Sequence, residues 1–336
     1  MEYIEFENVS KTFGSQPVLN KIRLSIKKGE LVSLLGPSGC GKSTLLRCLA
    51  GLECPTSGEI YLDGINVTKK LPKDRGIGMV FQQYSLFPNM TVEQNVGFGL
   101  KMMGISRKQR QDKVNTMLEI VDLKGSEDKK PHQLSGGMQQ RAALARALVT
   151  EPKVLLLDEP LSAIDAKLRK SLQAEIRKIQ KNLGITTIFV THDQSEAMVM
   201  SDKLCLMNNG LIEQSGTPSD IYISPKSKFA AAFIGNYNII TGEEFYRISG
   251  IRSFDGSVAI RPEVISIEKV NSFDEDTNII AEGVVVDFTL RGNTLSYSVL
   301  CRDVALNIDV LYRSFHLLNL GDKVYLAFEM RNCVPV

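Results

Sequence analysis

Residues 36–44, GPSGCGKST, set glycines, one lysine and two adjacent hydroxyls at the spacing G-x-x-x-x-G-K-[ST]. With no side chain to fill the concave side of such a loop, successive backbone N–H groups can turn inward and wrap phosphate oxygens. Gly36, Pro37, Ser38, Gly39, Cys40, Gly41, Lys42, Ser43 and Thr44 are therefore the candidate phosphate cradle. Lys42 is suited to neutralise β- and γ-phosphates and Ser43 to offer its hydroxyl to Mg2+. The run VLLLDEP supplies the complementary chemistry. Asp158, at the exit of an apolar run, can hold a magnesium shell, and Glu159 beside it can orient or deprotonate an attacking water.

Three further signals gain weight from that company. His192, in FVTHDQSEA, also leaves an apolar run, and an imidazole that titrates near neutrality can contact a γ-phosphate or its leaving oxygen. Gln82 follows IGMVF and could ligate a metal through its amide oxygen. Phe13, in KTFG, could stack on an adenine base, or equally serve as a core aromatic. A second Ser-Gly-Gly heads the apolar-periodic stretch LSGGMQQRAALARAL at 134–148. It has the build of another phosphate-binding helix start, one more than a single nucleotide on one chain requires.

These residues need a scaffold that delivers them to one place. LVSLLG (31–36), VLLLD (154–158) and ITTIFVT (185–191) are short apolar runs of the kind that fill parallel strands buried on both faces. Between the last two, Leu168, Leu172, Ile176, Ile179 and Leu183 recur at helical spacing, with Gly184 as a stop signal. Strand, crossover helix, strand predicts an α/β domain around a parallel sheet. Val114, Met117, Leu118 and Val121 predict a helical insertion in that core. From Asn236 the texture changes to β-rich runs (SVAIRPEVISIE, EGVVVDFTL, TLSYSVL, KVYLAF), with a hairpin signal at Gly292-Asn293. This predicts a small all-β second domain, with the boundary near 235.

Composition narrows the function classes. The chain has 336 residues, 43% of them hydrophobic and 23% charged, and its 40 basic against 38 acidic side chains leave +2, no bias towards nucleic acid. Six scattered cysteines, with no CxxC, argue against a zinc site or a disulfide framework and for a reduced compartment. The acidic start MEYIEFENVS is unlike a signal peptide, and no apolar run approaches the ~18 residues of a membrane span. Cys40 lies inside the phosphate loop at the start of a helix, a position open to oxidative or alkylating inactivation; the plainer reading is a small residue filling the loop.

The order of phosphate loop, Gln82, LSGGMQQR, LLLDEP, SAID and THD resembles the nucleotide-binding subunit of ATP-binding-cassette (ABC) transporters over residues 3–235. The resemblance implies an α/β P-loop NTPase with a helical subdomain at about 84–150, in a domain spanning 1–235. It implies Phe13 as the adenine-stacking aromatic, residues 36–44 as Walker A, Gln82 as the Q-loop sensor, and Asp158 and Glu159 as Walker B. Ser135, Gly136, Gly137 and Met138 would form the signature motif, Ser162 to Asp165 the D-loop, and His192 the switch. ATP and Mg2+ are the implied cofactors. The implied assembly is a head-to-tail homodimer in which each ATP is capped by the other chain's signature helix. Two transmembrane permease subunits at the cytoplasmic face of the membrane would join it, with their groove near Gln82 to Pro88 and the helical insertion. An external solute-binding protein would deliver cargo. Two departures stand out: Met138 where the signature has Gln, and Ile164 where the D-loop has Leu.

The tail adds to the resemblance. VAIRPE (258–263), THDQSEAM, GTPSDIY and FAAAFIGNYNII resemble a solute-importer branch that carries an oligonucleotide-binding-like (OB-like, TOBE-type) regulatory domain, here 236–336. Polyamine leads as the implied cargo, with 2-aminoethylphosphonate and ferric iron as alternatives. A cassette ATPase of DNA maintenance is the remote alternative; it would carry a long coiled coil or zinc-binding cysteines that this sequence lacks. The tail also lacks the basic, aromatic-rich face that nucleic acid would need.

Overall fold

The computed structural model describes every residue except Met1, Gln83, Tyr84, Ala163, Glu275 and 313–316. Two compact units emerge, Met1–Pro218 and Ser219–Val336.

The first unit opens with the strands β1 (Glu2–Phe13) and β2 (Gln16–Lys27), which pair antiparallel and join β4 (Ser57–Leu62) and β5 (Ile65–Asn66) in a sheet of order β2-β1-β4-β5. The main sheet runs β10-β9-β3-β8-β7-β6, built from β3 (Leu31–Leu35), β6 (Ile77–Val80), β7 (Val154–Asp158), β8 (Thr186–Thr191), β9 (Lys203–Asn208) and β10 (Leu211–Gly216). All neighbouring pairs are parallel except β9 with β10. Every residue of β3, β7 and β8 is buried, which explains why these runs read as unbroken apolar stretches rather than as alternation.

Each face of that sheet is covered differently. On one side α1 (Lys42–Ala50) packs Leu45, Leu46 and Leu49 with Val32, Leu34 and Ile188 and with β1 residues such as Ile4 and Phe6. On the other, α2 (Val92–Met102), α3 (Arg107–Ile120) and α4 (Gly136–Leu148) share a core with Leu155, Leu157 and Phe189. The helical insertion expected from Val114, Met117 and Leu118 is α3, and those three are its buried residues. The crossover helix α5 (Ala166–Leu183) is capped by the Asp165 side chain, which accepts from Leu168 N–H, and stops at Gly184, whose φ of 59° is the left-handed conformation that glycine adopts without strain. α6 (Gln194–Met200) follows β8. Arg75, 3% exposed, ties the end of α1 to the chain around it: its guanidinium donates to the carbonyls of Cys48, Leu49, Thr68 and Lys70.

The second unit takes in α7 (Pro218–Ile223) from its second residue, followed by α8 (Lys228–Ile234), β11 (Asn238–Thr241), α9 (Gly242–Ser249) and β12 (Ser257–Ile260). It begins earlier than the change of texture near 235, because Ala231 of α8 packs with Tyr237 and Ala259. With β18 (Cys333–Pro335), β11 and β12 form the sheet β11-β12-β18. The strands β13 (Ser266–Glu268), β14 (Ile279–Arg291), β15 (Thr294–Cys301), β16 (Val304–Leu311) and β17 (Lys323–Phe328) form an antiparallel sheet of order β13-β17-β14-β15-β16. The hairpin at Gly292-Asn293 joins β14 to β15, with Arg291 opposite Thr294. Among the described residues, no helix is long and apolar enough to cross a membrane.

Candidate active site

A parallel sheet exposes the carboxyl ends of its strands on one edge, and the order β3-β8-β7-β6 brings four loops together there. β3 leads into the phosphate loop, β8 into His192, β7 ends at Asp158, and β6 leads to Gln82. Residues separated by more than a hundred positions in the chain thus become neighbours.

The phosphate loop is glycine-dependent for two steric reasons. Gly41 has φ of 106°, and a Cβ there would lie 2.8 Å from the Val18 carbonyl oxygen. A Cβ at Gly36 would lie 2.2 Å from the Met207 carbonyl oxygen, so the loop is pressed against the β9 end. Gly41 serves as N-cap of α1 without any side chain to occupy the first N–H groups, which leaves them for an anion. Lys42 is 4% exposed, and its ammonium donates to the carbonyls of Gly36 (2.8 Å) and Pro37 (2.9 Å). The charge is therefore held inside the cradle. Cys40 is also buried, with Sγ 3.8 Å from Lys42 Nζ.

Asp158 and Ser43 meet across the sheet edge: the Ser43 hydroxyl donates to Asp158 Oδ1 at 2.7 Å. Burial pushes the Asp158 carboxyl above its ordinary range, against the Ser43 hydroxyl and the Arg47 charge, while Glu159 adds to the rise. A desolvated carboxylate next to a hydroxyl is a hard-oxygen pair that a small divalent cation suits. Among the described residues no cluster of three His, Cys, Asp or Glu side chains could bind a metal by itself. Mg2+ is commonly held by one or two protein oxygens together with substrate phosphates.

Glu159 is the centre of the remaining contacts. Gln82 Nε2 donates to its Oε2 at 3.1 Å, and His192 Nδ1 lies 3.4 Å from the same oxygen. Its backbone has φ of 47°, a left-handed conformation that costs a side-chain-bearing residue about 1–3 kcal/mol. Glu159 N–H donates to the Val190 carbonyl, and the Ser162 N–H and hydroxyl both donate to the Glu159 carbonyl, which over-determines the geometry. The strand end therefore turns sharply and aims the carboxylate at Gln82 and His192 rather than along the sheet.

Other expected residues stand apart from this cluster. Phe13 ends β1 half-exposed, with Lys11 Nζ 4.6 Å from its ring centroid. Ser135 is the N-cap of α4 and its hydroxyl accepts from Met138 N–H. Gly136 is exposed and Gly137 buried, where a Cβ would meet Leu168 Cδ2 at 3.0 Å. Met138 packs partly buried against the core beneath α4 instead of extending from the helix start. In the D-loop, Asp165 caps α5 and Ser162 holds Glu159; Ala163 lies outside the described residues, as do Gln83 and Tyr84 of the expected groove.

The ABC transporter family matches residues 19–162 and the TOBE domain family residues 258–336. The spermidine/putrescine import ATP-binding protein of Bacillus cereus is 49% identical over 340 residues, which covers 99% of this chain and 98% of that protein. The chain belongs to the ATP-binding subunits of ABC transporters. The Fe(3+) ions import ATP-binding protein of Escherichia coli O157:H7 is also 49% identical, over 277 residues, or 79% of this ABC subunit and 80% of that protein. Among solved structures, cbiO1 from Clostridium perfringens, part of the ABC transporter complex cbiONQ, aligns with TM-score 0.62 and 32% identity over 66% of this chain and 91% of its own. A dimeric ATP-binding cassette in a post-hydrolysis state with ADP and Pi aligns with TM-score 0.57 and 35% identity over 64% and 98%. As an ABC ATPase, the protein binds and hydrolyses ATP.

Sequence reasoning missed the residues behind His192. Thr191, 2% exposed, donates its hydroxyl to Glu196 Oε2 at 2.6 Å and accepts from Asp193 N–H. Arg169 of α5 reaches the same group. The acid at the third position after THD was the available signal, since Asp193 caps α6 through Glu196 N–H.

Proposed function

We propose that this ATPase energises import of a polyamine, spermidine or putrescine, through two separate permease subunits fed by an external solute-binding protein. The observation that carries the cargo reading is the length of the match to the Bacillus cereus spermidine/putrescine protein, which spans the TOBE segment as well as the cassette. Ferric iron is the second reading, favoured by equal identity to the Escherichia coli protein over a shorter span. The chain would work at the cytoplasmic face of the membrane, bound to its permeases near Gln82 to Pro88.

The chemistry follows from the strand-end cluster. Backbone N–H groups of residues 36–44 and the Lys42 ammonium grip the phosphates, and Phe13 stacks on the adenine. Ser43, Asp158 and Gln82 would hold Mg2+, which neutralises phosphate charge when bound. Glu159 accepts a proton from, or orients, the attacking water, while His192 and Gln82 hold its carboxylate in place. Ser135, Gly136 and Gly137 cap the γ-phosphate of an ATP on a second copy, and Ser162 to Asp165 face that copy. The ADP-bound dimeric relative supports the pairing of two such cassettes.

Uptake decides the cargo. Cells lacking this chain should lose uptake of labelled spermidine or putrescine and regain it with the wild-type gene but not with Glu159→Gln. Unchanged polyamine uptake together with lost ferric iron uptake would transfer the assignment to iron.

A further inference from the structure

We propose that Arg169 is a positioning residue for ATP hydrolysis, whose guanidinium ties the D-loop to the backbone segment that carries His192. The inference rests on the assignment of Glu159 and His192 to the reaction.

The tie is built from three contacts of one side chain. Arg169 Nη2 donates to the Ile164 carbonyl at 2.9 Å, inside the D-loop. Its Nη1 donates to Asp193 Oδ2 at 3.4 Å, and its Nε lies 3.7 Å from Glu196 Oε1. That last distance is too long for a direct hydrogen bond, and Nε is buried without a hydrogen-bond partner among the described residues, so its pairing with Glu196 is through charge. Both acids belong to the switch segment. Asp193 follows His192 directly, and Glu196 accepts from Thr191, which precedes it. His192 is thus pinned on both sides, and the pins converge on the guanidinium that holds the D-loop.

Helix stability does not account for an arginine here. Arg169 lies at the start of α5, where a cation opposes the helix dipole rather than complementing it. Burial also raises the cost of the arrangement. Glu196 is 5% exposed, and desolvation pushes its carboxyl up, against the Thr191 hydroxyl and the Arg169 charge. Arg169, Glu196, Glu159 and His192 all border one polar cavity of about 30 Å³, so the tie abuts the reacting carboxylate. A planar fork can hold a carbonyl and two carboxylates at once, whereas a lysine ammonium on a flexible stem cannot. The consequence is that displacement of the D-loop by a second copy of the chain shifts His192 against Glu159.

The test is steady-state ATPase kinetics on the full-length chain, with Glu159→Gln as a control for the underlying assignment. Arg169→Met should lower kcat by about tenfold to a hundredfold, the cost of an ångström-scale misplacement, with KM for ATP changed less than about twofold. Arg169→Lys should recover only part of the loss. Glu196→Gln, of the same shape, should lower kcat severalfold, and the double variant with Arg169→Met should be no slower than Arg169→Met alone. Wild-type kcat in Arg169→Met, or losses that multiply in the double variant, overturns the proposal. If Arg169→Met cannot be isolated folded, wild-type kcat in Glu196→Gln overturns it equally. Should Glu159→Gln itself retain full activity, the site assignment fails instead, which distinguishes the two failures.

Discussion

The two helix starts that carry Gly-rich sequence, Lys42 of α1 and Gly136 of α4, look alike in composition and differ in what surrounds them. At α1 the cap is Gly41 with no side-chain bond, a buried lysine lies in the loop, and Ser43 touches Asp158. At α4 the cap is Ser135, whose hydroxyl is turned onto Met138 N–H of its own helix. Among the described residues no hydrogen bond links Ser135 or Gly136 to the Asp158–Glu159 cluster. The first start belongs to a cluster that gathers, within one chain, a buried cation and the two carboxylates proposed to hold the metal and orient the water. The second offers only N–H groups and a hydroxyl, enough to cap an anion but not to bind and cleave a nucleotide. The difference supports the proposed role of the second start at a site on another copy.

Several experiments break or sharpen that contrast. The largest effect is expected at the cluster around the first start: Glu159→Gln should lower Pi release by about 10²–10⁴ while ATP still binds, and a wild-type rate removes Glu159 from the reaction. Lys42→Ala comes next, because charge-assisted hydrogen bonds are worth about 1.5–3 kcal/mol each; calorimetry should find ATP bound about tenfold to a hundredfold more weakly. Mixed dimers test the comparison itself. Lys42→Ala on one chain and Ser135→Arg on the other leave one intact composite site and should retain hydrolysis, whereas both changes on one chain, paired with wild type, should abolish it. Activity in the reverse pattern means that each chain uses its own Ser135. The smallest effect belongs to Met138→Gln. Since Met138 packs on the core, the KM for ATP should move by less than the roughly tenfold that a new hydrogen bond of about 0.5–1.5 kcal/mol could give.

Much of the first unit was legible because its signals are local. The phosphate loop is contiguous, β3, β7 and β8 are apolar throughout, and the stop at Gly184 is a single residue with φ of 59°. The second unit was less so. Helix α9 and strand β16 escaped notice, since α9 is only Gly242–Ser249 and β16 buries Val304, Leu306 and Ile308 but exposes Ala305 between the first two, which blurs the apolar–polar alternation. The start of that unit was also invisible, because α8 belongs to it through packing of Ala231 and not through composition.

By itself, the sequence determined the chemistry-bearing residues and the strands that end at them: spacing fixes a phosphate loop, and buried apolar runs fix parallel strands. Only the tertiary structure decided which of those residues act on one another. The order β3-β8-β7-β6 joins Ser43 to Asp158, and the left-handed backbone at Glu159 turns its carboxylate towards Gln82 and His192. Arg169 entered only there, because an arginine on a charged helix face reads as solvated until its partners, Ile164, Asp193 and Glu196, are brought around it by the crossover connection. Such contacts depend on strand order, which no local pattern encodes.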